Sequence, residues 1–193
     1  MNGLIIKESA RGIDMYTPES GLLQKRMLFF REEVTAESCD RLLQYLLYLD
    51  QDDPGKEITL CINSPGGDVS SGLAVFDCMK AMKSPIRTLC TGMAASMGSI
   101  LFLAGSRREM LPHSKLMIHD PLIGGLSERQ MALQLKKRAD DLMETRRVTG
   151  EIIAQASHLS LEEVYDMTSE DCYLTAERSV ELGLATGIVT ELW

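Results

Sequence analysis

The chain has 193 residues, of which 45% are hydrophobic and 25% charged, a balance typical of a globular domain with one substantial core. Its formal net charge of −8 and the lack of a basic run argue against nucleic acid or an anionic membrane surface as a partner. No stretch approaches the roughly 18 apolar residues of a membrane span, and the segment from Met1 to Gly12 contains no apolar core of secretory length. We therefore expect one domain, spanning residues 1–193, in the cytoplasm.

From Met27 to Ile118, predicted strands alternate with predicted helices. The strands are Met27–Phe30, Ile58–Ile62, Ile86–Cys90 and Lys115–Ile118, and the helices are Thr35–Asp50, Ser70–Lys83 and Ser96–Ala104. The first of these helices is indicated by leucines at helical spacing between Leu42 and Leu49. Strands and helices of these lengths imply parallel strands joined by right-handed crossovers, and hence an α/β fold.

The pattern changes beyond His119. Gly124 and Gly125 predict a loop, and Ser127–Gln155 predicts a long helix with many charges and only a modest apolar stripe. Such a helix either packs against something outside its own domain or is a solvated surface helix. The remaining predicted elements are the helices Ser160–Asp166 and Thr175–Leu182 and a closing strand, Ile188–Leu192.

The five cysteines are widely spaced, at Cys39, Cys61, Cys78, Cys90 and Cys172. They form neither a CxxC pair nor the Cys-His spacing of a zinc site. We expect reduced, mainly structural thiols, and neither a bound metal nor another cofactor.

A run of small residues from Gly92 to Gly98 indicates a site for a nucleophile at Ser96. Small residues allow two backbones and a substrate to approach closely, and a helix starting at Ser96 would direct free N–H groups at a developing anion. The alternative is that Ser96 is a helix N-cap, the more common role of a serine at a helix start.

Two further residues have the chemistry to activate this serine. His119 ends a short apolar strand, where Pro121 would stop regular pairing, and Asp171 lies between two predicted helices. A serine nucleophile needs a base to take its proton, and the base needs an acceptor on its other ring nitrogen. In the alternative interpretation His119 is a hydrogen-bonded core histidine and Asp171 is a turn or capping acid.

A turn with two adjacent glycines, Gly66 and Gly67, follows the predicted strand Ile58–Ile62. Adjacent glycines allow positive φ angles and leave backbone N–H groups uncovered. The N–H groups of Gly67 and Met97 are therefore candidates for an oxyanion hole. The alternative is an ordinary tight turn, which Pro-Gly pairs mark in any fold.

Three motifs in chain order, Asn63–Gly67, Gly92–Gly98 and Met117–Pro121, resemble those of the proteolytic subunit of the Clp protease. The resemblance extends from about Gly21 to the C terminus, and Ser9–Gly12 resembles a motif near the family's N terminus. It implies a crotonase-like α/β spiral of ββα units with a protruding handle at about residues 122–155. Residues 1–20 would form an N-terminal axial segment.

The same resemblance implies a serine endopeptidase that works through an acyl-enzyme. Its triad would be Ser96, His119 and Asp171, with the amides of Gly67 and Met97 as oxyanion donors. The residues that would bind the substrate strand are Gly66, Gly67, Asp68, Val69 and Leu122. The implied assembly is a heptameric ring, stacked as a tetradecamer, which receives unfolded polypeptides from an AAA+ unfoldase.

Two regions depart from the family pattern. Where the family usually has Asp-Arg before its catalytic acid, this chain has Ser169 and Glu170, so the usual salt bridge between rings cannot form. The implied unfoldase-docking pocket falls on Thr59, Cys61, Leu89, Glu109 and Val189. At Thr59, Cys61 and Glu109 the family commonly has aromatic residues. We expect weaker docking, because a carboxylate in such a pocket would cost desolvation.

These departures leave three functional hypotheses. The first is a serine endopeptidase subunit that is active in a closed ring chamber. The second is a structural or regulatory subunit with little activity alone, which works in mixed rings with a second Clp proteolytic isoform. The third is a crotonase-type acyl-CoA enzyme, whose chemistry does not need the Ser-His-Asp set.

Overall fold

A computed structural model describes residues 3–9, 12–122 and 132–192. The strands are β1 (Ile5–Ser9), β2 (Gly12–Tyr16), β3 (Met27–Phe30), β4 (Ile58–Ser64), β5 (Ile86–Ala95), β6 (Arg107–Met110), β7 (Lys115–Ile118), β8 (Cys172–Thr175) and β9 (Gly187–Ile188). The helices are α1 (Pro18–Gln24), α2 (Ala36–Asp52), α3 (Val69–Ala81), α4 (Met97–Leu103), α5 (Ala132–Gln155), α6 (Leu161–Thr168) and α7 (Ala176–Glu181).

Strands β3 to β9 form one seven-stranded sheet whose main path has the order β3-β4-β5-β6-β9. Every neighbouring pair on this path is parallel. Strand β5 is long enough to pair twice, through residues 87–90 with β6 and through residues 93–95 with β7. Strand β8 then adds to β7 in the antiparallel direction. The predicted α/β class is thus confirmed, with a mostly parallel sheet.

The hydrophobic core is built around α4, all seven residues of which are buried. Helix α4 contacts β5 on one side and α3 on another. Helix α2 contributes Leu42, Leu46 and Leu49, which are buried at helical spacing, as the leucine pattern predicted. The N terminus of α2 is fixed by Thr35, which exchanges capping hydrogen bonds with Ser38.

The elements predicted between Met27 and Ile118 all occur, with some shifted ends. Strands β3 and β7 have the predicted bounds, while β4 and β5 continue to Ser64 and Ala95, because ladder pairing persists beyond the apolar runs. The hairpin of β1 and β2, helix α1 and strands β6 and β8 were not predicted. The predicted closing strand Ile188–Leu192 is wrong in its extent, because only Gly187–Ile188 pairs, with β6.

Helix α5 has an exposed half and a packed half. Residues 133–141 are exposed, including Leu133, whereas Gly150 and Ile153 near the other end are buried. Contacts with α4 and α6 hold the packed half. The predicted helix Ser127–Gln155 is therefore confirmed over Ala132–Gln155, and its first residues, like the Gly124-Gly125 loop, lie outside the described residues.

Candidate active site

Ser96 lies at the junction between β5 and α4 with a left-handed backbone, φ 52° and ψ −122°. Its N–H donates to the carbonyl of Met117 at 2.8 Å, which fixes the junction against β7. Ser96 occupies the N-cap position of α4, as the alternative interpretation has it, but its side chain makes no capping hydrogen bond to the helix. A non-glycine residue in this region is strained, and such strain is typical of a residue that a site must present in one orientation.

The sheet register brings His119 and Asp171 to Ser96. In the ladder of β5 and β7, Ala95 pairs with Met117, so the strands end side by side at Ser96 and His119. In the antiparallel ladder of β7 and β8, Ile118 pairs with Cys172, and the next opposed residues are His119 and Asp171. Two adjacent ladders therefore assemble residues that are far apart in the sequence.

The three side chains form a continuous hydrogen-bonded series. His119 Nε2 lies 2.8 Å from Ser96 Oγ, and His119 Nδ1 lies 3.2 Å from Asp171 Oδ1. The imidazole is 14% exposed, whereas the Asp171 carboxylate is 61% exposed. With Nδ1 protonated, the ring donates to Asp171 and its free Nε2 accepts the serine proton. The N-cap of α7 is Thr175, so Asp171 is not the capping acid of that helix.

The glycine turn after β4 adjoins this series. Gly66 and Gly67 have φ angles of +94° and +144°, as the predicted turn requires. Val34 bridges the turn, because it donates to the carbonyl of Gly66 and accepts from the N–H of Asp68. In such a bridge the N–H of Gly67 points away from Val34. Met97 is the first residue of α4, so its N–H has no acceptor within the helix.

The other residues predicted to bind a substrate strand lie around the same turn. Asp68 is the N-cap of α3, and its carboxylate accepts from Ser71 N at 2.8 Å and from Ser71 Oγ at 2.6 Å. These hydrogen bonds lower the pKa of Asp68 below its ordinary value. Val69 lines a cavity beside Ser96, and Leu122 is 76% exposed beyond Pro121.

Helix α5 supplies two wall residues that the sequence analysis did not identify. A cavity of about 30 Å³ opens beside Ser96 and His119, and Thr149 and Ile153 of α5 help to line it. Their spacing of four residues places them on one helix face, which is the only signal that the sequence contains for this role. The apolar stripe of α5 thus serves the site as well as the core.

The residues of the implied docking pocket share one face of the sheet, where Cys61 and Leu89 are buried. Cys61, Leu89 and Glu109 are cross-strand partners in β4, β5 and β6. Glu109 accepts from Arg87 Nε at 2.6 Å, so its carboxylate is already paired within the chain. Thr59 lies two residues before Cys61 on β4, and Val189 follows β9, where its N–H donates to Met110.

The region that departs from the family pattern lies next to Asp171. Ser169 is the C-cap residue that follows α6, and its hydroxyl donates to the carbonyl of Asp166 at 2.7 Å. Glu170 is exposed, and it forms no ion pair with any residue that the structure describes. An unpaired carboxylate therefore stands beside the exposed carboxylate of Asp171.

All five cysteines are free thiols. Over residues 3–9, 12–122 and 132–192, there is no cluster of three or more His, Cys, Asp or Glu side chains suited to a metal. Within those same ranges, no helix has both the length and the apolar character to cross a membrane.

The class that this site indicates is that of the serine hydrolases. In it, a serine is hydrogen-bonded to an imidazole, which is hydrogen-bonded to a carboxylate, here on a mostly parallel α/β fold. The model of the Clp protease family matches residues 9–192, and the chain belongs to this family. It is 37% identical over 187 residues to the ATP-dependent Clp protease proteolytic subunit 1 of Prochlorococcus marinus (strain NATL2A). The aligned region covers 96% of this chain and 94% of that protein.

The family resemblance inferred from the motifs is confirmed, and with it the Clp protease fold. The chain is a serine-type peptidase of a family that carries out ATP-dependent proteolysis. The acyl-CoA hypothesis is set aside by this family membership.

Proposed function

We propose that this chain is a serine endopeptidase subunit that degrades unfolded polypeptides inside a ring-shaped chamber fed by an AAA+ unfoldase. The observation that carries the proposal is the hydrogen-bonded series from Ser96 Oγ through both nitrogens of His119 to Asp171. The free thiols support the cytoplasm as its compartment, because cytosolic thiols are kept reduced.

Ser96 Oγ attacks the carbonyl carbon of the scissile peptide bond, and its proton passes to His119 Nε2. The negative charge that develops on the carbonyl oxygen is stabilised by the N–H groups of Gly67 and Met97. The C–N bond then breaks as His119 donates the proton to the leaving amine, which leaves an acyl-enzyme on Ser96. Water then attacks the ester carbonyl while His119 takes its proton, and the ester bond to Ser96 Oγ breaks as His119 returns that proton to Oγ, which releases the carboxylic-acid product. Asp171 holds the imidazole in the tautomer that these steps need.

A substrate polypeptide would lie as an extended strand along residues 66–69, with Leu122 on the opposite side. Gly66 and Gly67 have no side chains, so a second backbone can approach closely there. The small cavity lined by Val69, Thr149 and Ile153 would receive the side chain next to the cleaved bond.

Two apolar surfaces support assembly into rings. A cleft of about 330 Å³ between α1, β3 and α2 is lined by Leu23, Phe29 and Tyr45, among others, and Phe29 is 41% exposed. The exposed half of α5 carries Leu133 and Leu135, which are 82% and 46% exposed. Apolar side chains grouped in this way indicate contacts with other subunits. In the proposal, the cleft joins neighbours within a heptameric ring, and the handle at residues 122–155 joins two rings.

A second candidate is a subunit with little activity alone, which works in mixed rings with another Clp proteolytic isoform. Ser169 and Glu170 favour it, because an unpaired carboxylate replaces the cation that usually joins the rings.

The unfoldase-docking pocket on Thr59, Cys61, Leu89, Glu109 and Val189 also remains part of the proposal. There, the Arg87–Glu109 pair supports a partner segment that carries polar groups as well as apolar ones.

The test combines a fluorophosphonate probe with peptide hydrolysis on the chain purified alone. We expect the probe to label Ser96. We also expect Ser96→Ala and His119→Ala each to lower peptide turnover by more than about 10⁴-fold, because nucleophile and base act as a unit. The matched controls are Ser106→Ala and His113→Ala, which change exposed residues outside the site.

Full turnover by Ser96→Ala or His119→Ala would remove that residue from the mechanism. A wild-type chain that neither reacts with the probe nor hydrolyses peptide alone, but gains both when mixed with another isoform, would favour the second candidate. Loss of turnover in a control variant would show that the assay reports folding rather than catalysis.

A further inference from the structure

Asp120, which follows His119, is bonded to the segment that carries Asp171. The N–H of Asp120 donates to the carbonyl of Thr168 at 2.7 Å, and the hydroxyl of Thr168 donates back to Asp120 Oδ1 at 2.7 Å. Thr168 is the last residue of α6 and is buried. This reciprocal pair joins the chain one residue after the base to the chain three residues before the acid.

Arg146 of α5 occupies the other oxygen of the same carboxylate. Arg146 Nε donates to Asp120 Oδ2 at 2.6 Å, with the two side chains 24% and 31% exposed. The guanidinium lies over the ring of Tyr165 in α6, 3.9 Å from its centroid. A partly buried, charge-assisted contact of this kind is stronger and better oriented than a surface ion pair.

The strand pairing next to the triad stops short of its base and its acid. The ladder of β7 and β8 ends at Ile118 and Cys172, so His119 and Asp171 lie beyond its last pair. The Asp171 carboxylate is also largely exposed and contacts His119 at a rather long 3.2 Å. Water competes for such a carboxylate, so the geometry depends on how firmly the two backbone segments are held together.

We infer that Asp120 is a positioning residue. It holds the His119 and Asp171 segments in a fixed relative position, and Arg146 of α5 in turn fixes the Asp120 carboxylate. The inference rests on the proposed function, since positioning matters only if His119 is the base. Asp120 contacts neither substrate nor reacting atoms, and it acts by setting the orientation in which His119 meets Ser96 and Asp171.

The test uses the full chain in its assembled form, with Asp120→Asn, Arg146→Gln and the double variant. We expect each single variant to lower kcat roughly tenfold or more with KM changed less than about twofold, because misorientation affects the chemical step rather than binding. The double variant should be no slower than the slower single variant, because both remove one unit. Arg146→Lys keeps the charge without the planar fork and should recover part of kcat.

Arg178→Gln is the matched control, because it breaks an exposed arginine–carboxylate pair with Glu181 in α7. It should keep the wild-type kcat. Thr168→Val removes one hydrogen bond at nearly constant volume, so it replaces Asp120→Asn if that variant fails to assemble, as judged by sedimentation.

Hydrogen exchange read by mass spectrometry gives a second readout that does not need activity. Peptides covering residues 116–122 and 168–174 should exchange faster in Asp120→Asn and Arg146→Gln than in the wild type or Arg178→Gln. Wild-type kcat and exchange in both variants would overturn the inference, as would losses of kcat that multiply in the double variant. If the probe fails to label Ser96 in the wild type, the proposed function fails, and the exchange rates still decide whether the Asp120 unit joins the two segments.

Discussion

The backbone conformation of Ser96 depends on the close approach of Gly66, which has no side chain. A Cβ added to Gly66 would lie 2.6 Å from the carbonyl oxygen of Ala95 and 2.9 Å from the nitrogen of Met97. Both are backbone atoms of the β5–α4 junction and cannot turn aside. Gly66 is therefore what allows the turn after β4 to lie against the left-handed Ser96.

We expect Gly66→Ala to lower peptide turnover by about 100-fold or more, because the junction must shift and carries Ser96 and the Met97 amide with it. Gly55→Ala is the matched control, since Gly55 has a similar φ of +88° but open space around its Cβ position. That control should cost only the left-handed strain, about 1 kcal/mol of stability, and keep full turnover. Turnover and thermal midpoints of both variants decide the point, and equal activity in the two would show that close approach at Gly66 is not needed.

A second residue-scale property concerns the buried thiol of Cys61 in β4. The side chain is 2% exposed, and burial raises its pKa to about 11 from an ordinary value near 9. Between about pH 9 and pH 11, the thiol of Cys61 therefore stays protonated in the folded state but ionises in the unfolded chain. Its contribution to stability is fully present below pH 9 and is lost as the pH rises through about 11.

We expect Cys61 to resist iodoacetamide at pH 8, where about one thiol in a thousand would be ionised at that pKa. The modified fraction should rise steeply towards pH 11, and urea should expose the residue at any pH. Peptide mass spectrometry after timed alkylation measures this, with the half-buried Cys78 as an internal comparison. Native modification at pH 8 as fast as in urea would contradict the expectation.

At the scale of elements, the sequence predicts the helices and strands whose apolar residues recur at a clear helical or strand spacing within a short segment. The leucine face of α2 and the short apolar strand β7 were identified with nearly correct bounds. Strand β6 was missed, because Arg107, Arg108 and Glu109 give no apolar alternation and only pairing with β5 and β9 makes them a strand. Helix α1 does carry a local signal, Thr17 as N-cap before Pro18, but none of its seven residues is buried, so it has no apolar face to accompany that signal.

The same distinction applies to the site. Ser96, His119 and Asp171 could be named from motifs, since each has a chemistry that few residue types supply. Thr149 and Arg146 could not, because their place depends on how α5 rotates and packs against the end of β7. Nothing in their neighbouring residues encodes that packing. Sequence therefore indicates the reacting groups, whereas the walls and supports emerge only from tertiary contacts.

At the scale of the whole molecule, charge bears directly on assembly. The chain carries a net charge of −8, and Glu170 adds an exposed carboxylate beside Asp171. In the proposed double ring, this segment faces the other ring. A symmetric contact then brings like charges together, and an exposed pair of carboxylates opposes stacking.

We expect the chain purified alone to form single heptameric rings, or double rings with low activity, because ring stacking and triad alignment support each other in the proposal. Ser169→Asp together with Glu170→Arg should restore attraction between rings, and so raise both the double-ring fraction and peptide turnover. Glu170→Gln is the control that removes the repulsion without adding a cation, and it should give an intermediate double-ring fraction. Sedimentation velocity and peptidase assays on the three proteins measure both quantities. A wild-type chain that is already a fully active double ring, and that the paired substitution leaves unchanged, would show that stacking here does not depend on charge at these positions.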